Sequence, residues 1–387
     1  MSQTIDTSKP SVFFPNLDGL RFLAFFMVFG NHCWREAYLS LGISCDPINR
    51  FVTVFSSGSI GVNIFFVLSG FLITYLLLTE KKWQGTIDVK AFYARRFLRI
   101  WPLYYAVLIF GFIVYPLLKA KLGIHTDLAS RWPYFFSFLS NFDVIHIQHT
   151  APGNDAMMQN ITWSVAVEEQ FYLLWPLLFF SIPQKWYAGI FAAVIGVSVV
   201  FRWFHVGDSP VLYFHSLSVM GYLGLGGLSA FAVMNSTLLV KLLATLPRWS
   251  IALIYMAGIA ALMYLPDDLP NGWVLMQIPF GLFFAFVILE QNFSNNSFFK
   301  FKQFSWFSWW GKYTYGLYLL HPIAILIVEM GLKLTHLQPA GFPMLLAKVI
   351  GTLGVALLLA YTSYEFFEKP FLRFKQKFQH IKSNELS

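Results

Sequence analysis

The residues best suited to chemistry in this chain are ionisable side chains set inside apolar runs. The first run, LDGLRFLAFFMVFGNHCW, carries Arg21 and His32, 11 residues apart. That spacing is about three helical turns and a rise of about 16 Å, so the two share one stripe at opposite ends of a helix. A histidine at that position can act as a general base, the role it fills most often near neutral pH. It can equally be a packed side chain bonded to a neighbouring helix. Asp18, three residues before Arg21, is placed to pair with it.

A second run, TWSVAVEEQFYLLWP, holds Glu168 and Glu169 with no lysine or arginine beside them. Adjacent helical residues point about 100° apart, so the pair does not act as one matched acid and base. Glu168 shares a face with Ser164, Phe171, Tyr172 and Trp175, a polar and aromatic stripe suited to a sugar or an acyl chain, with Ser164 and Tyr172 as substrate contacts. Glu169 shares a face with Val165 and Leu173. Entering from the outer side, both carboxylates should lie in the outer half with His32. The expectation is that Glu168 supports His32, fixing its tautomer, and that Glu169 meets another helix; either carboxylate can fill the supporting role.

Three further signals concern binding. In FYARRFLRIWPLYY, Arg95 and Arg99 fall at i and i+4, with Arg96 about 100° round. Three guanidiniums suit phosphate oxygens, and Trp101 offers a surface for a nucleotide base; the same run also anchors topology. In KYTYGLYLLHP, His321 lies near mid-membrane, with Pro322 freeing a backbone carbonyl, and reads as a core or a pathway histidine. Asn63 and Asn31 are candidate hydrogen-bond donors to a developing oxyanion. Small residues around Asn63, such as Gly61 and Gly70, suit close helix packing. His125, His146 and His149 are irregularly spaced and lack partner ligands, so no metal is expected.

The elements that position these groups must be membrane helices. The 387 residues are 57% hydrophobic and only 12% charged, with 43 Phe, 18 Tyr and 13 Trp. A soluble domain carries about a quarter charged residues. The net charge of +8 is spread between apolar runs, as topology determinants are, rather than gathered into a nucleic-acid patch. The first apolar run lacks the flanks of a removable signal and reads as a retained helix. Cys33 and Cys45 are too few for a disulfide framework, although a single bridge between them is conceivable.

An all-α membrane bundle is expected, with ten spans at 18–36, 58–79, 100–119, 161–182, 186–206, 212–234, 248–265, 272–291, 313–333 and 343–367. The stretch 131–142 is too short to cross and reads as an interfacial or re-entrant piece. Eighteen of the 27 basic residues fall on the side of the N-terminus, which implies that both termini lie inside. The organisation is then a tail over 1–14, a membrane domain over 15–368 and a basic tail over 369–387.

Taken in order, Arg21 to His32, IFFVLSGFLIT, FYARRFLRIWPLYY, WSVAVEEQFYLLWP and YGLYLLHP resemble the motifs of the acyltransferase-3 family over nearly the whole chain. The resemblance implies a ten-helix protein of the bacterial inner membrane, moving an acyl group, usually acetyl, from cytoplasmic acyl-CoA to a hydroxyl of a surface glycan or glycolipid. It implies that Arg21, Arg95, Arg96 and Arg99 hold the CoA phosphates, and that His32 is the base with a glutamate behind it. About 20 mostly polar residues follow the last helix, as in the stand-alone form of the family rather than the form with an appended hydrolase-like domain. Direct transfer and an acyl-histidine intermediate both fit. A proton-coupled transporter or flippase is the alternative from another class, and a scaffold of a polysaccharide assembly a third.

Overall fold

The computed structural model describes residues 10–35, 38, 46–121, 130–151, 158–268, 271–335 and 341–383. Among these, the principal helices are α1 (Pro15–Cys33), α2 (Gly58–Gln84), α3 (Val89–Ile109), α4 (Trp163–Ser181), α5 (Tyr187–Phe204), α6 (Ser216–Asn235), α7 (Arg248–Asp268), α8 (Gln277–Phe293), α9 (Thr314–Leu334) and α10 (Gly341–Thr362). Each overlaps one of the expected spans, although α3 begins at Val89, well before the expected start at residue 100. Among the described residues, seven helical stretches are both long and apolar enough to cross a membrane, which makes this a multi-pass membrane protein; the count of ten is not reached on that measure. The three that fall short are α1, α4 and α8. Helix α8 is only 17 residues long. Helices α1 and α4 carry Arg21, His32, Glu168 and Glu169, so the groups that could do chemistry are also what lowers their apolar character.

Local signals set the helix ends. Pro15 opens α1, where its missing N–H costs nothing. The Ser57 hydroxyl accepts from the Ile60 amide to cap α2, and Gly85 closes that helix in the left-handed region at φ 77°. Asp88 caps α3 by accepting the Ala91 amide, and its carboxyl is held below the usual carboxylate range by that bond.

Lipid provides no hydrophobic drive for helices to associate, so close packing must supply it. Helices α2 and α6 meet at two glycines. A methyl at Gly70 would lie 2.0 Å from the Leu223 carbonyl oxygen, and one at Gly226 would lie 2.0 Å from that of Val67. Any side chain at either position forces the backbones apart. Around this crossing lie buried Phe66, Phe71, Tyr104, Trp175 and Leu223, while Leu173, Leu174 and Phe180 on the opposite face of α4 are exposed, as lipid-facing residues should be.

The short stretch after residue 130 forms two brief helices, Trp132–Phe136 and Ser140–Thr150, with Phe135 and Phe138 buried against Tyr104. The tail beyond α10 continues as a helix over Lys369–Lys375, and Lys382–Ser383 pairs in parallel with Ser11–Val12. The first and last described segments therefore lie side by side on one face. Cys33 is a buried free thiol; Cys45 and His125 lie outside the described residues.

Candidate active site

Two cavities hold most of the motif residues. The first spans about 1150 Å³, part of it open to the outside, and includes Arg21, Arg96, Arg99, Glu168, Ser164 and Tyr172 in its lining, with largely apolar walls from α1 and α2. The second spans about 1580 Å³ and is lined by His32, Asn31, Gln148, Asn160, Glu329 and Trp163 among others. Arg21 and His32 stand at opposite ends of α1, so the two cavities lie towards opposite faces of the bundle. Val62 of α2 and Tyr318 of α9 line both and form the wall between them. The Tyr318 hydroxyl bonds to that of Ser164 at 2.6 Å, bridging α9 to α4 across this wall.

In the first cavity, Arg21 donates to Asp18 at 2.6 Å. The Arg96 guanidinium lies 5.1 Å from the centre of the Tyr172 ring, a cation–π contact that holds it over α4. Ser69 of α2 donates to Glu168 at 2.5 Å. Three guanidiniums and one carboxylate thus share a recess whose walls are otherwise aliphatic and aromatic side chains and hydroxyls.

In the second cavity, the decisive contact is between two imidazoles. His32 Nδ1 lies 3.0 Å from His321 Nε2, with the rings stacked 5.2 Å apart. His32 faces the cavity, whereas His321 is fully buried behind it, edge-on to Phe25 and Phe29. Aromatic side chains of Trp163 and Tyr213 and the amides of Asn31, Gln148 and Asn160 make the lining both flat and polar.

Five sequence expectations change in three dimensions. Glu168 does not bond to His32: it faces the arginine cavity, because Ser69 and the Tyr318 wall stand on the side where the histidine was expected. His32 instead meets His321, which the sequence offered as a core or a pathway histidine and a candidate substrate contact, and which is fully buried. Arg95 leaves the cavity of Arg21, Arg96 and Arg99; it pairs with buried Glu80 at 3.0 Å and donates to the Phe378 carbonyl, clamping the tail. Trp101 does not line the arginine cavity: its indole donates to Glu169 at 3.0 Å, and Phe97, Tyr105 and Phe138 pack around its ring. Asn63 is among the lining residues of neither cavity, whereas Asn31 lines the second.

Residues 14–361, running through both cavities, match the family model described as an acyltransferase domain, that of acyltransferase-3. The chain belongs to the acyltransferase-3 family. It is similar to the peptidoglycan O-acetyltransferase OatA of Listeria monocytogenes, 29% identical over 96% of this chain and 57% of that protein. Similarity extends to the putative peptidoglycan O-acetyltransferase YrhL of Bacillus subtilis, 26% identical over 92% of this chain and 55% of the relative. For the O-acetyltransferase OatA of Staphylococcus aureus the figures are 28%, 92% and 57%. The chain therefore spans little more than half the length of these relatives. No solved structure matches it.

Within this acyltransferase-3 chain, the motif residues Arg21, Arg96 and Glu168 line the first cavity and His32 the second, with His321 buried behind it. Sequence reasoning missed Tyr318 and Val62 as the wall, although Tyr318 stands inside YGLYLLHP, three residues before His321. A tyrosine in an aromatic-rich helix gives no signal of its own; only its bond to Ser164 sets it apart.

Proposed function

We propose that this protein is an acyl-CoA-dependent O-acyltransferase that receives its donor, acetyl-CoA, in the arginine cavity and its acceptor, a glycan hydroxyl, in the histidine cavity. One observation carries the reading: a recess with three guanidiniums and a recess with a histidine base lie towards opposite ends of α1 and share Val62 and Tyr318 in their linings. Arg21, Arg96 and Arg99 suit the phosphates of a coenzyme A, charge-assisted bonds being the strong ones. The apolar lining beyond them suits the pantetheine arm, which brings the thioester to Val62 and Tyr318.

His32 Nε2 takes the proton of the acceptor hydroxyl as its oxygen attacks the thioester carbonyl carbon. The tetrahedral oxyanion collapses, the carbon–sulfur bond breaks, and the thiolate of coenzyme A leaves, accepting the proton from the imidazolium. Asn31, in the same cavity as His32, is the candidate donor to the oxyanion. Direct transfer is favoured, since His32 and the wall residues line one continuous surface. The acceptor is a carbohydrate of the peptidoglycan class, supported by the names of the relatives and by the mixed aromatic and amide lining. The excess of basic residues on the side of the termini supports an arginine cavity at the cytoplasmic face of a bacterial inner membrane, with both termini inside.

The test uses the purified full chain in liposomes with labelled acetyl-CoA and soluble peptidoglycan fragments. The expected result is label on the glycan, lost in His32→Ala and retained in Lys241→Ala, a change on an exposed residue away from both cavities. Wild-type protein that moves a glycan across the bilayer without labelling it would replace this reading with that of a transporter.

A further inference from the structure

The contact between His32 and His321 fixes more than a distance. Within α9, the carbonyl of Tyr318 would ordinarily accept the amide of the residue four positions on, but that residue is Pro322, which has no N–H. The orphaned oxygen lies 2.8 Å from His321 Nδ1, and the Leu317 oxygen lies 3.3 Å from the same nitrogen. Carbonyl oxygens only accept, so Nδ1 of His321 must carry a hydrogen. Full burial among Phe25, Phe29 and Tyr318 disfavours a second proton, because a charge there would be unpaired in an apolar shell. The remaining nitrogen, Nε2, is then a lone pair. Its neighbour at 3.0 Å, His32 Nδ1, must be the donor. A neutral imidazole that donates through Nδ1 carries its own lone pair on Nε2.

We infer that His321 is the positioning residue that holds His32 as the Nδ1–H tautomer, with Pro322 setting the chain of donors by leaving one backbone carbonyl for His321 to satisfy. In this arrangement a neutral histidine fills the place that a carboxylate fills in a catalytic triad, orienting the base without adding a charge. The structure separates the two histidine roles cleanly, one ring in the cavity and one sealed behind it. The inference rests on the acyl-transfer reading for its consequence, but not for its geometry.

Two measurements test it. The first is nitrogen NMR of the full chain, labelled at histidine and held in lipid nanodiscs, with His32→Gln and His321→Gln used to assign the two rings. Both rings are expected with the hydrogen on Nδ1; His32 found with its hydrogen on Nε2 overturns the inference, whether or not the protein transfers acyl groups. The second is kinetic, with acetyl-CoA and peptidoglycan fragments. His321→Ala should lower kcat by on the order of 10²-fold with KM for acetyl-CoA within about twofold, since the base loses its orientation rather than its presence. His321→Gln, whose side-chain oxygen can accept from His32 Nδ1–H, should recover about tenfold of that loss. Pro322→Ala, which returns an amide to the Tyr318 carbonyl, should cost several-fold in kcat. His321→Gln as slow as His321→Ala would reduce His321 to packing and overturn the inference.

Discussion

The two cavities differ in how charge is treated. The arginine cavity gathers three cations with one carboxylate, and holds them by pairing: Asp18 with Arg21, the Tyr172 ring with Arg96, Ser69 with Glu168. The histidine cavity sets its titratable base against an uncharged, buried His321, with amides and aromatic rings around it and a single carboxylate, Glu329, in the lining, paired with Lys348 at 3.0 Å. A site for a polyanion needs fixed positive charge, and can afford it near an aqueous face. A base that faces a cavity must be able to gain and lose a proton, and a partner without charge orients it without biasing that exchange. The same bundle therefore builds one recess for holding and one for proton transfer.

The contrast can be broken in a definite order. His32→Ala should abolish transfer, by about 10³-fold or more, while acetyl-CoA still binds; isothermal titration against the turnover assay separates the two. Val62→Phe, which thickens the wall, should come next, with loss of transfer at unchanged donor affinity. If both cavities served one substrate, this variant would weaken binding instead. Arg96→Ala and Arg99→Ala should act on the other side of the comparison, raising KM for acetyl-CoA by roughly 10-fold each with a smaller change in kcat, as removal of a charge-assisted phosphate contact does. Tyr318→Phe keeps the ring of the wall and removes the hydroxyl that meets Ser164 and, at 3.4 Å, the Ile161 carbonyl, so a loss of a few-fold is expected.

The smallest effect concerns the rim beneath the arginine cavity. Asp88 caps α3 and also meets His380 at 3.0 Å, tying the tail to the α2–α3 turn. Its carboxyl is depressed chiefly by the Ala91 amide, so its contribution is complete above the ordinary carboxylate value and is lost as pH falls through the lower, folded one. Limited proteolysis of residues 369–383 should therefore be faster in Asp88→Asn than in wild type at neutral pH. The two should converge in strong acid.

Much of the site was legible in the residues. A histidine and an arginine three turns apart on one helix, an arginine run, a glutamate pair and an HP step were visible as costly groups in an apolar chain, and costly groups in lipid mark function. The helices themselves were legible for the same reason: a bilayer leaves an isolated segment few choices but helix. The count of crossing helices was less so, because α1 and α4 spend their apolar character on the site and α8 is short.

What the sequence determined by itself was periodicity and cost: which residues share a helix face, which end of a helix they occupy, and which groups need a partner. Which partner each group finds was decided only by the tertiary structure. Glu168 and His32 share no face, and the α2–α6 crossing at Gly70 and Gly226 is among the contacts that decide which helices pack together. That packing turned Glu168 to Ser69, Glu169 to Trp101 and His32 to His321, 289 residues away in the chain. The physical reason is that a helix specifies the direction of its side chains locally, to within a rotation, whereas the neighbour waiting in that direction depends on packing that no single segment contains.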